Sequence, residues 1–341
     1  MNKKQILLTF DYELFLGPSS GTAENCLIKP TEKLLEVLSS TKSNAIFFVD
    51  ILYLYRLKDF ILQYPKAQND YDAVCKQILE IALQGHYVYL HIHPHWLDAV
   101  YVPENNQWNL SNINRFAISS LTASESYALL EKGYHLLKEI ISAVKHAHKI
   151  EGFRAGGLFI QPFSLFYDFL KQHQMPFEFS VYPNFTSKSN QCEVNFTHLP
   201  KERIYKFEDD CCKEQKHGYF TEYTISEINI AGINRIINSG QFRLNTKVLK
   251  DKPWGDGKGA LHVISNNNKK IGISGTVRET AAVELMNLWK NKIYLSYLQQ
   301  NDLLHFLSHP KLISPLNLLA LHKFLIQVNK KYDLITDFKH F

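Results

Sequence analysis

The sequence lacks the long apolar segments of a membrane-spanning protein. No window of about 18 apolar residues occurs in the 341 residues, so no membrane span is expected. The chain begins Met-Asn-Lys-Lys and continues into a short apolar strand, without the longer apolar core and small-residue cleavage site of a secretory signal. We therefore expect a cytoplasmic protein.

Concentrated positive charge is also absent. The chain has 38 Lys and Arg against 33 Asp and Glu, and the resulting net charge of +5 is spread along its length. Nucleic-acid-binding proteins cluster their basic residues in a patch or along one helix. A nucleic-acid partner is therefore not expected.

Cysteine is scarce, and the motifs of several enzyme classes are missing. The sequence has no Cys-x-x-Cys, no Gly-x-Ser-x-Gly and no His-Glu-x-x-His motif. The glycine-rich residues 255–259 lack the spacing of a phosphate-binding loop and are predicted to form a tight turn. The cysteines, expected to be reduced bystanders in the cytosol, are Cys26, Cys75, Cys192, Cys211 and Cys212.

Strands and helices alternate along the first half of the chain, and an apolar content of 45% is enough for a large core. This order is typical of a parallel sheet or a (β/α) barrel, whose functional residues follow the carboxyl ends of the strands. The predicted strands are Gln5–Phe10, Asn44–Val49, His86–His91, a strand ending at Arg154, and Phe177–Tyr182. The predicted helices are Pro30–Thr41, Ile51–Tyr64, Tyr71–Gln84, Ser124–Val144 and Pro162–His173.

The alternation stops after residue 182. Residues of about 183–275 are polar and interrupted by Gly and Pro, and they are predicted to form a β-rich insertion within a single domain spanning residues 1–341. Short β-like runs at Arg203–Phe207 and Leu261–Ser265 fall inside this range. A helix over Thr280–Gln300, a strand over Leu303–Leu307 and a helix over Pro315–Lys331 are expected to follow.

Acidic residues and imidazoles lie at the ends of the predicted strands. Residues 9–13 read Thr-Phe-Asp-Tyr-Glu at the end of the first strand, and residues 91–95 read His-Ile-His-Pro-His at the end of the third. Arg154 and His309 follow two further strands. An α/β fold builds metal-assisted hydrolytic sites from such residues, because parallel strands end at one edge of the sheet.

Two imidazoles and one carboxylate form an open metal site that leaves a position for water. His91 and His95 lie four residues apart, and a turn at the intervening proline would bring both rings to one ion. Asp11 and Glu13 lie two apart on an extended chain, so their side chains share one side. One of them can bind the ion and the other can take a proton from water. His93 is expected to point away or to donate a hydrogen bond from behind the ligands.

With these motifs in this order, the chain resembles the polysaccharide deacetylase superfamily, the NodB-homology fold, in its divergent branch whose first motif is Asp-x-Glu. The family's second motif, Gly-His-Glu-x-x-x-His-x-x-x-His, corresponds to residues 85–95. The resemblance implies a distorted (β/α) barrel with one divalent metal ion. It implies metal binding by Glu13, His91 and His95 and catalysis by Asp11, Arg154 and His309.

The implied roles agree with the chemistry of amide hydrolysis. Asp11 would accept the proton of the attacking water, and Arg154 would keep this carboxylate ionised. His309 would protonate the departing amine, since the usual pKa of histidine is near neutrality. Zinc is the first choice of metal because it lowers the pKa of bound water to about 7, although two imidazoles and a carboxylate also accept Co, Ni or Fe.

The chain departs from the family pattern at several places. Tyr12 and Tyr87 replace acidic residues of the first two motifs, and glycines at 156 and 157 replace a proline and an aromatic residue. The residue that donates a hydrogen bond to the oxyanion is therefore not assigned from the sequence. Glu178 and Tyr182 are candidates for the fourth motif by position. The aromatic side chains predicted to contact a sugar are Trp96 and Tyr182.

The predicted activity is N-deacetylation of an acetamido sugar in a glycan, a nucleotide sugar or a lipid-linked precursor. One alternative is a hydrolase of the same fold that cleaves another C–N bond without metal. A second alternative is a glycan-binding or assembly protein without catalysis. A more distant one is an amidohydrolase that uses His91 and His93 as its metal pair. Zinc content and turnover of acetamido sugars separate these alternatives.

Overall fold

The predicted alternation produces a central, mostly parallel sheet. The structure, a computed structural model, describes residues 4–144, 149–189, 192–232, 234, 237, 240, 244–245, 247–259, 276–332 and 334–335. The strands of the sheet are β1 (Lys4–Tyr12), β2 (Ile46–Asp50), β3 (Tyr87–Ile92), β6 (Gly152–Ala155), β7 (Phe177–Glu178), β10 (Ile204–Phe207), β11 (Phe220–Tyr223), β14 (Leu303–Ser308) and β15 (Leu334–Ile335). Three two-stranded antiparallel sheets pair β4 (Val100–Val102) with β5 (Gln107–Asn109), β8 (Thr186–Lys188) with β9 (Glu193–Asn195), and β12 (Glu227–Ala231) with β13 (Thr276–Thr280).

The α-helices of the described residues cover the sheet. They are α1 (Lys29–Thr41), α2 (Ile51–Leu57), α3 (Pro65–Leu83), α4 (Ala123–Ile141), α5 (Ser164–Gln172), α6 (Lys290–Gln300) and α7 (Pro315–Lys331). Single turns of 3₁₀ helix lie at Pro94–Asp98, Ile118–Ser120, Gly156–Leu158, Val283–Leu285 and Pro310–Leu312, and a short π-helix covers Glu24–Ile28.

The order of strands along the sheet is β10-β11-β7-β6-β3-β2-β1-β14, and β15 also pairs with β1. All neighbours are parallel except β10 and β11. Two backbone hydrogen bonds connect β14 with segments that follow β11 and β13. The Ser226 N–H, after β11, donates to the His305 carbonyl at 3.1 Å, and the Leu307 N–H donates to the carbonyl of Ala281, after β13, at 2.9 Å. The sheet thus curls into a barrel without a continuous ladder between these elements.

The apolar pattern of the sequence explains this arrangement. Every residue of β2 is buried, as expected for a parallel strand covered on both faces. Helix α1 turns one apolar stripe, including Leu34 and Leu38, toward the sheet. Capping boxes at Thr122 and Ser314 satisfy free N–H groups at the first turns of α4 and α7. The predicted distorted (β/α) barrel is therefore confirmed.

One prediction between residues 183 and 300 requires correction. The helix predicted over Thr280–Gln300 is wrong in its first half, which instead contains β13 and the turn Val283–Leu285 before α6 begins. Pairing of β13 with β12 and the hydrogen bond from the Ala281 N–H to the Ser226 carbonyl outweigh the local helix propensity. Strands β10 and β11 continue the central sheet inside the predicted insertion, whereas Leu261–Ser265 lies outside the described residues.

None of the helices in the described part of the chain combines the length and the apolar composition that a membrane span requires.

Candidate metal centre and active site

Adjacent parallel strands bring the predicted site residues to one edge of the sheet. Asp50 at the end of β2 pairs with His91 on β3, and His91 pairs with Arg154 on β6. Asp11 lies near the end of β1, and His309 directly follows β14. The carboxyl ends of the strands form the functional face of this type of fold.

The side chains of Glu13, His91 and His93 form a compact group that could hold a metal ion. Glu13 Oε2 lies 3.3 Å from His91 Nε2 and 2.8 Å from His93 Nε2. The two Nε2 atoms lie 3.0 Å apart. Metal–ligand bonds of about 2.0–2.1 Å at tetrahedral angles separate ligand atoms by about 3.3 Å. The three donor atoms therefore fit a shared divalent ion.

The environment of His91 also suits a metal ligand. Its Nδ1 lies 2.7 Å from the Arg154 carbonyl, so the Nδ1–H donates there and Nε2 carries the lone pair. Burial lowers the pKa of His91, but the carboxylates of Asp11 and Glu13 outweigh burial and raise it to about 8. Because only neutral imidazole binds a metal, protons compete with an ion below this pH.

His93 occupies the position that the sequence prediction assigned to His95. Side chains two apart on an extended chain share a side, so His91 and His93 both face Glu13. The chain then enters the 3₁₀ helix at Pro94, and the His95 ring packs against the Phe116 ring with centroids 4.7 Å apart. His95 is buried beside His93, with ring centroids 5.2 Å apart, but it is not part of the three-residue group.

Asp11 is held by a fully buried arginine, as the sequence prediction proposed. Arg154 Nη1 donates to Asp11 Oδ1 at 2.6 Å, while Nε donates to the Phe179 carbonyl at 3.0 Å. Burial would raise the pKa of Asp11, but the charges of Arg154, His91 and His309 outweigh burial and lower it. Asp11 is therefore ionised at neutral pH, with Oδ2 3.9 Å from His91 Nε2.

His309 lies near both carboxylates. Its Nε2 is 3.8 Å from Asp11 Oδ2 and 3.7 Å from Glu13 Oε1. Its Nδ1 lies 3.0 Å from Glu284 Oε1. Burial lowers the pKa of His309, but the carboxylates of Glu284, Glu13 and Asp11 together outweigh burial and raise it, with Glu284 contributing most. His309 therefore keeps its proton to a higher pH than a free histidine.

Three acidic or basic residues near the centre were not predicted from the sequence. Lys311 Nζ donates to Glu13 Oε1 at 2.8 Å, and Asp50 Oδ2 accepts from the Trp96 indole at 2.5 Å. Glu284, the third, contacts His309. Asp50 and Lys311 each lie close to the carboxyl end of an apolar strand. This position is the sequence feature from which both residues could have been predicted to lie at the site. Glu284 could not be placed at the site in this way, because its segment was predicted to be helical.

The two aromatic candidates for substrate contact lie in different environments. Trp96 has no exposed surface and packs against the Tyr53 and Trp108 rings, so the prediction that it contacts a sugar is wrong. Tyr182 lines a cavity of about 630 Å³ that also contains Asp11, Glu13 and His309. Glu178, the other candidate for the fourth motif, is buried and accepts the Ser180 N–H at 2.9 Å.

Comparison with known proteins shows the type of fold. No family model and no curated protein match the chain. A crystal structure of a Mycobacterium smegmatis protein classed as a polysaccharide deacetylase matches with a TM-score of 0.50 at 14% sequence identity, over 98% of this chain and 87% of that chain. The fold is of the polysaccharide deacetylase type. A structure of Puue allantoinase matches with a TM-score of 0.45 at 9% identity, over 97% of this chain and 85% of that chain.

The predicted site residues lie around one cavity at the carboxyl ends of neighbouring strands. The cavity brings together Asp11, Glu13, His93 and His309. Arg154 and His91 lie directly behind it through their contacts with Asp11 and Glu13. The arrangement offers a group that could hold a metal ion, an ionised carboxylate and a protonatable imidazole around one pocket.

Proposed function

We propose that the protein is a metal-dependent amide hydrolase that removes the acetyl group from an acetamido sugar in a glycan or a glycan precursor. The observation that carries this proposal is the placement of Asp11 and His309 beside the group of Glu13, His91 and His93. An ion bound there would act as a Lewis acid toward a carbonyl group and lower the pKa of water. The remaining steps belong to side chains.

Asp11 is the proposed general base. Arg154 holds Oδ1 of this carboxylate, so Oδ2 faces His91 and His309. A base must be ionised and within hydrogen-bond reach of the water that it deprotonates. The lowered pKa of Asp11 meets the first condition. Its fixed position at the cavity supports the second.

His309 is the proposed general acid, and Glu284 is its positioning partner. The Glu284 carboxylate accepts the Nδ1–H of His309, which leaves Nε2 toward the cavity. A protonated Nε2 would donate to the departing amine as the C–N bond breaks. The raised pKa of His309 favours the protonated form that this role requires.

The remainder of the cavity supports a polar, sugar-like substrate. Its wall includes the rings of Tyr182 and Phe185 and the amide of Asn184. Aromatic faces pack against the apolar faces of sugars, and a few polar groups fix orientation. A volume of about 630 Å³ accommodates one or two sugar units.

Acetate release from N-acetylated sugars tests the proposal. Zinc-loaded protein should release acetate from at least one of three classes, namely free acetamido sugars, nucleotide sugars or lipid-linked glycans. Chelation should abolish release and added zinc should restore it, because the ion supplies the Lewis acid. If the loaded protein binds acetamido compounds without ever releasing acetate, a glycan-binding function replaces the enzyme.

One observation favours a second candidate, a hydrolase of the same fold that cleaves a C–N bond without metal. Both carboxylates already have a buried cationic partner, since Arg154 contacts Asp11 and Lys311 contacts Glu13. Turnover that survives complete chelation, with no zinc in the purified protein, would favour this candidate.

Replacement of Glu284 by glutamine should shift the alkaline limb of the pH–rate profile to lower pH. The general acid must be protonated, and the Glu284 charge raises the pKa of His309, so its removal lowers the pH at which the proton is lost. The measurement is kcat/KM against pH for both proteins. Glu208→Gln, which removes a carboxylate paired with Lys171, is the matched control and should leave the limb in place. An unshifted limb in Glu284→Gln would exclude His309 as the group seen on the alkaline side.

A further inference from the structure

Lys311 is a buried lysine in direct contact with a proposed metal ligand. It lies in the 3₁₀ helix Pro310–Leu312 after β14, and its side chain is only 6% exposed. Nζ donates to Glu13 Oε1 at 2.8 Å and to the Leu14 carbonyl at 2.7 Å. Lysine is seldom buried unless it is paired, so the ion pair with Glu13 is what stabilises Lys311 in this buried position.

Neighbouring backbone fixes the position of Lys311. The Gly255 N–H donates to the Lys311 carbonyl at 3.0 Å. A Cβ at Gly255 would approach the same carbonyl oxygen to 2.5 Å, so this close contact requires glycine. The Phe15 ring lies 5.1 Å from Nζ. The ammonium group is therefore held beside Glu13 by packing on several sides.

The contact leaves one oxygen of Glu13 with Lys311 and the other facing the two histidines. Lys311 takes Oε1, whereas Oε2 faces His91 and His93 at 3.3 and 2.8 Å. A carboxylate that binds through both oxygens would have to give up the lysine. The geometry therefore leaves Oε2 as the oxygen of Glu13 that is available to an ion.

The contact also pairs the charge of Glu13 before an ion arrives. Lys311 balances Glu13 as Arg154 balances Asp11, so each of these two carboxylates already has a cation of its own. A second cation beside a divalent ion repels it, and burial weakens the screening of that repulsion by salt. An ion therefore binds here with less electrostatic attraction than at an unpaired carboxylate.

We propose that Lys311 is a positioning residue that restricts Glu13 to binding through one oxygen and limits the affinity of the site for divalent ions. This inference rests on the proposed function, since it concerns the same ion. It assigns Lys311 two effects, stabilisation of Glu13 when no ion is bound and competition with the ion for that carboxylate.

Zinc titration of the metal-free full-length protein tests this inference. Lys311→Met, which replaces the lysine by an uncharged side chain of similar length, should bind zinc at least about tenfold more tightly than wild type. The metal-free variant should melt at a lower temperature because Glu13 loses its partner. Its gain in melting temperature on zinc saturation should exceed that of wild type. His91→Ala measures zinc bound elsewhere, including at the group Asp210, Cys211 and Cys212.

Lys290→Met is the matched control. Lys290 is likewise buried and pairs with the Glu279 carboxylate, which lines the cavity but is not one of the proposed metal ligands. This variant should melt at a lower temperature without a change in zinc affinity. If it gains affinity as Lys311→Met does, the effect is general and the inference is wrong.

Zinc affinity in Lys311→Met that is unchanged or weaker than in wild type would also overturn the inference, because Lys311 would then serve only as a support for Glu13. If Lys311→Met does not fold, Lys311→Arg keeps the charge and should keep the wild-type affinity, and a tenfold gain would contradict the charge argument. If the wild-type protein releases acetate in a zinc-dependent reaction and Lys311→Met shows no gain in zinc affinity, the proposed function stands and only this inference is rejected. Absence of zinc binding in both proteins rejects both.

Discussion

Replacement of Asp11 by asparagine should lower turnover about a hundredfold to ten-thousandfold, the usual range for loss of a general base. The amide keeps the size and the contact with Arg154 but cannot accept the proton of the attacking water. The proposed ligand atoms belong to other residues, so the variant should retain zinc. Acetate release and zinc content, measured on the same preparation, test both statements.

Asp70→Asn is the control for this prediction. Asp70 is a partly buried carboxylate that accepts from the Asn106 amide at 2.9 Å, and it does not line the cavity of the proposed site. Its turnover should stay near that of wild type. Near-normal rates in Asp11→Asn would show that another group deprotonates the water, whereas loss of zinc from Asp11→Asn would place Asp11 among the ligands.

Replacement of Arg154 by methionine should lower the free energy of unfolding by about 3–5 kcal/mol, because it leaves the buried Asp11 charge without its partner. The arginine has no exposed surface and donates to Asp11, to Thr9 Oγ1 at 2.8 Å and to the Phe179 carbonyl. Its guanidinium also lies over the Phe48 ring at 4.1 Å. Urea denaturation of the metal-free protein measures the loss.

Arg115→Met provides the comparison for Arg154→Met. Arg115 pairs with Asp98 at 2.5 Å, but its side chain is 40% exposed, and Asp98 keeps the backbone N–H groups of Asn114 and Arg115 as donors. The loss should therefore be smaller than for Arg154→Met. The double variant Arg154→Met with Asp11→Asn should be more stable than Arg154→Met alone, since the unpaired charge is gone. A double variant with the full sum of both losses would show that packing, and not charge, determines the effect.

Strand ends were the part of the site that the sequence predicted best. Asp11, His91, Arg154 and His309 each follow an apolar run, and parallel pairing brings such positions together regardless of their separation along the chain. The strands themselves were predictable for the same reason, since buried parallel strands are continuous apolar runs.

The structure groups His93, and not His95, with Glu13 and His91, and the sequence contains the reason. The two-residue period of an extended chain, which places Asp11 and Glu13 on one side, also places His91 and His93 on one side. The four-residue spacing to His95 would have required a turn that instead becomes the 3₁₀ helix Pro94–Asp98.

Other features depend on tertiary contacts that leave no local signal. The 3₁₀ turn that carries Glu284 follows a strand, β13, whose partner β12 lies about fifty residues earlier in the sequence. Lys311 contacts Glu13 across a sequence separation of 298 residues. Propensity within a window cannot detect either contact, because both arise from how distant segments pack.

Anomalous X-ray scattering from crystals of the zinc-loaded protein tests the central claim most directly. The account predicts one strong zinc peak within about 2.0–2.2 Å of Glu13 Oε2, His91 Nε2 and His93 Nε2, with Asp11 beyond bonding distance and still paired with Arg154. A peak bound by Asp11 would contradict the separation of base and ligand. The absence of any peak at these strand ends, in protein that turns over its substrate, would contradict the metal-dependent mechanism itself.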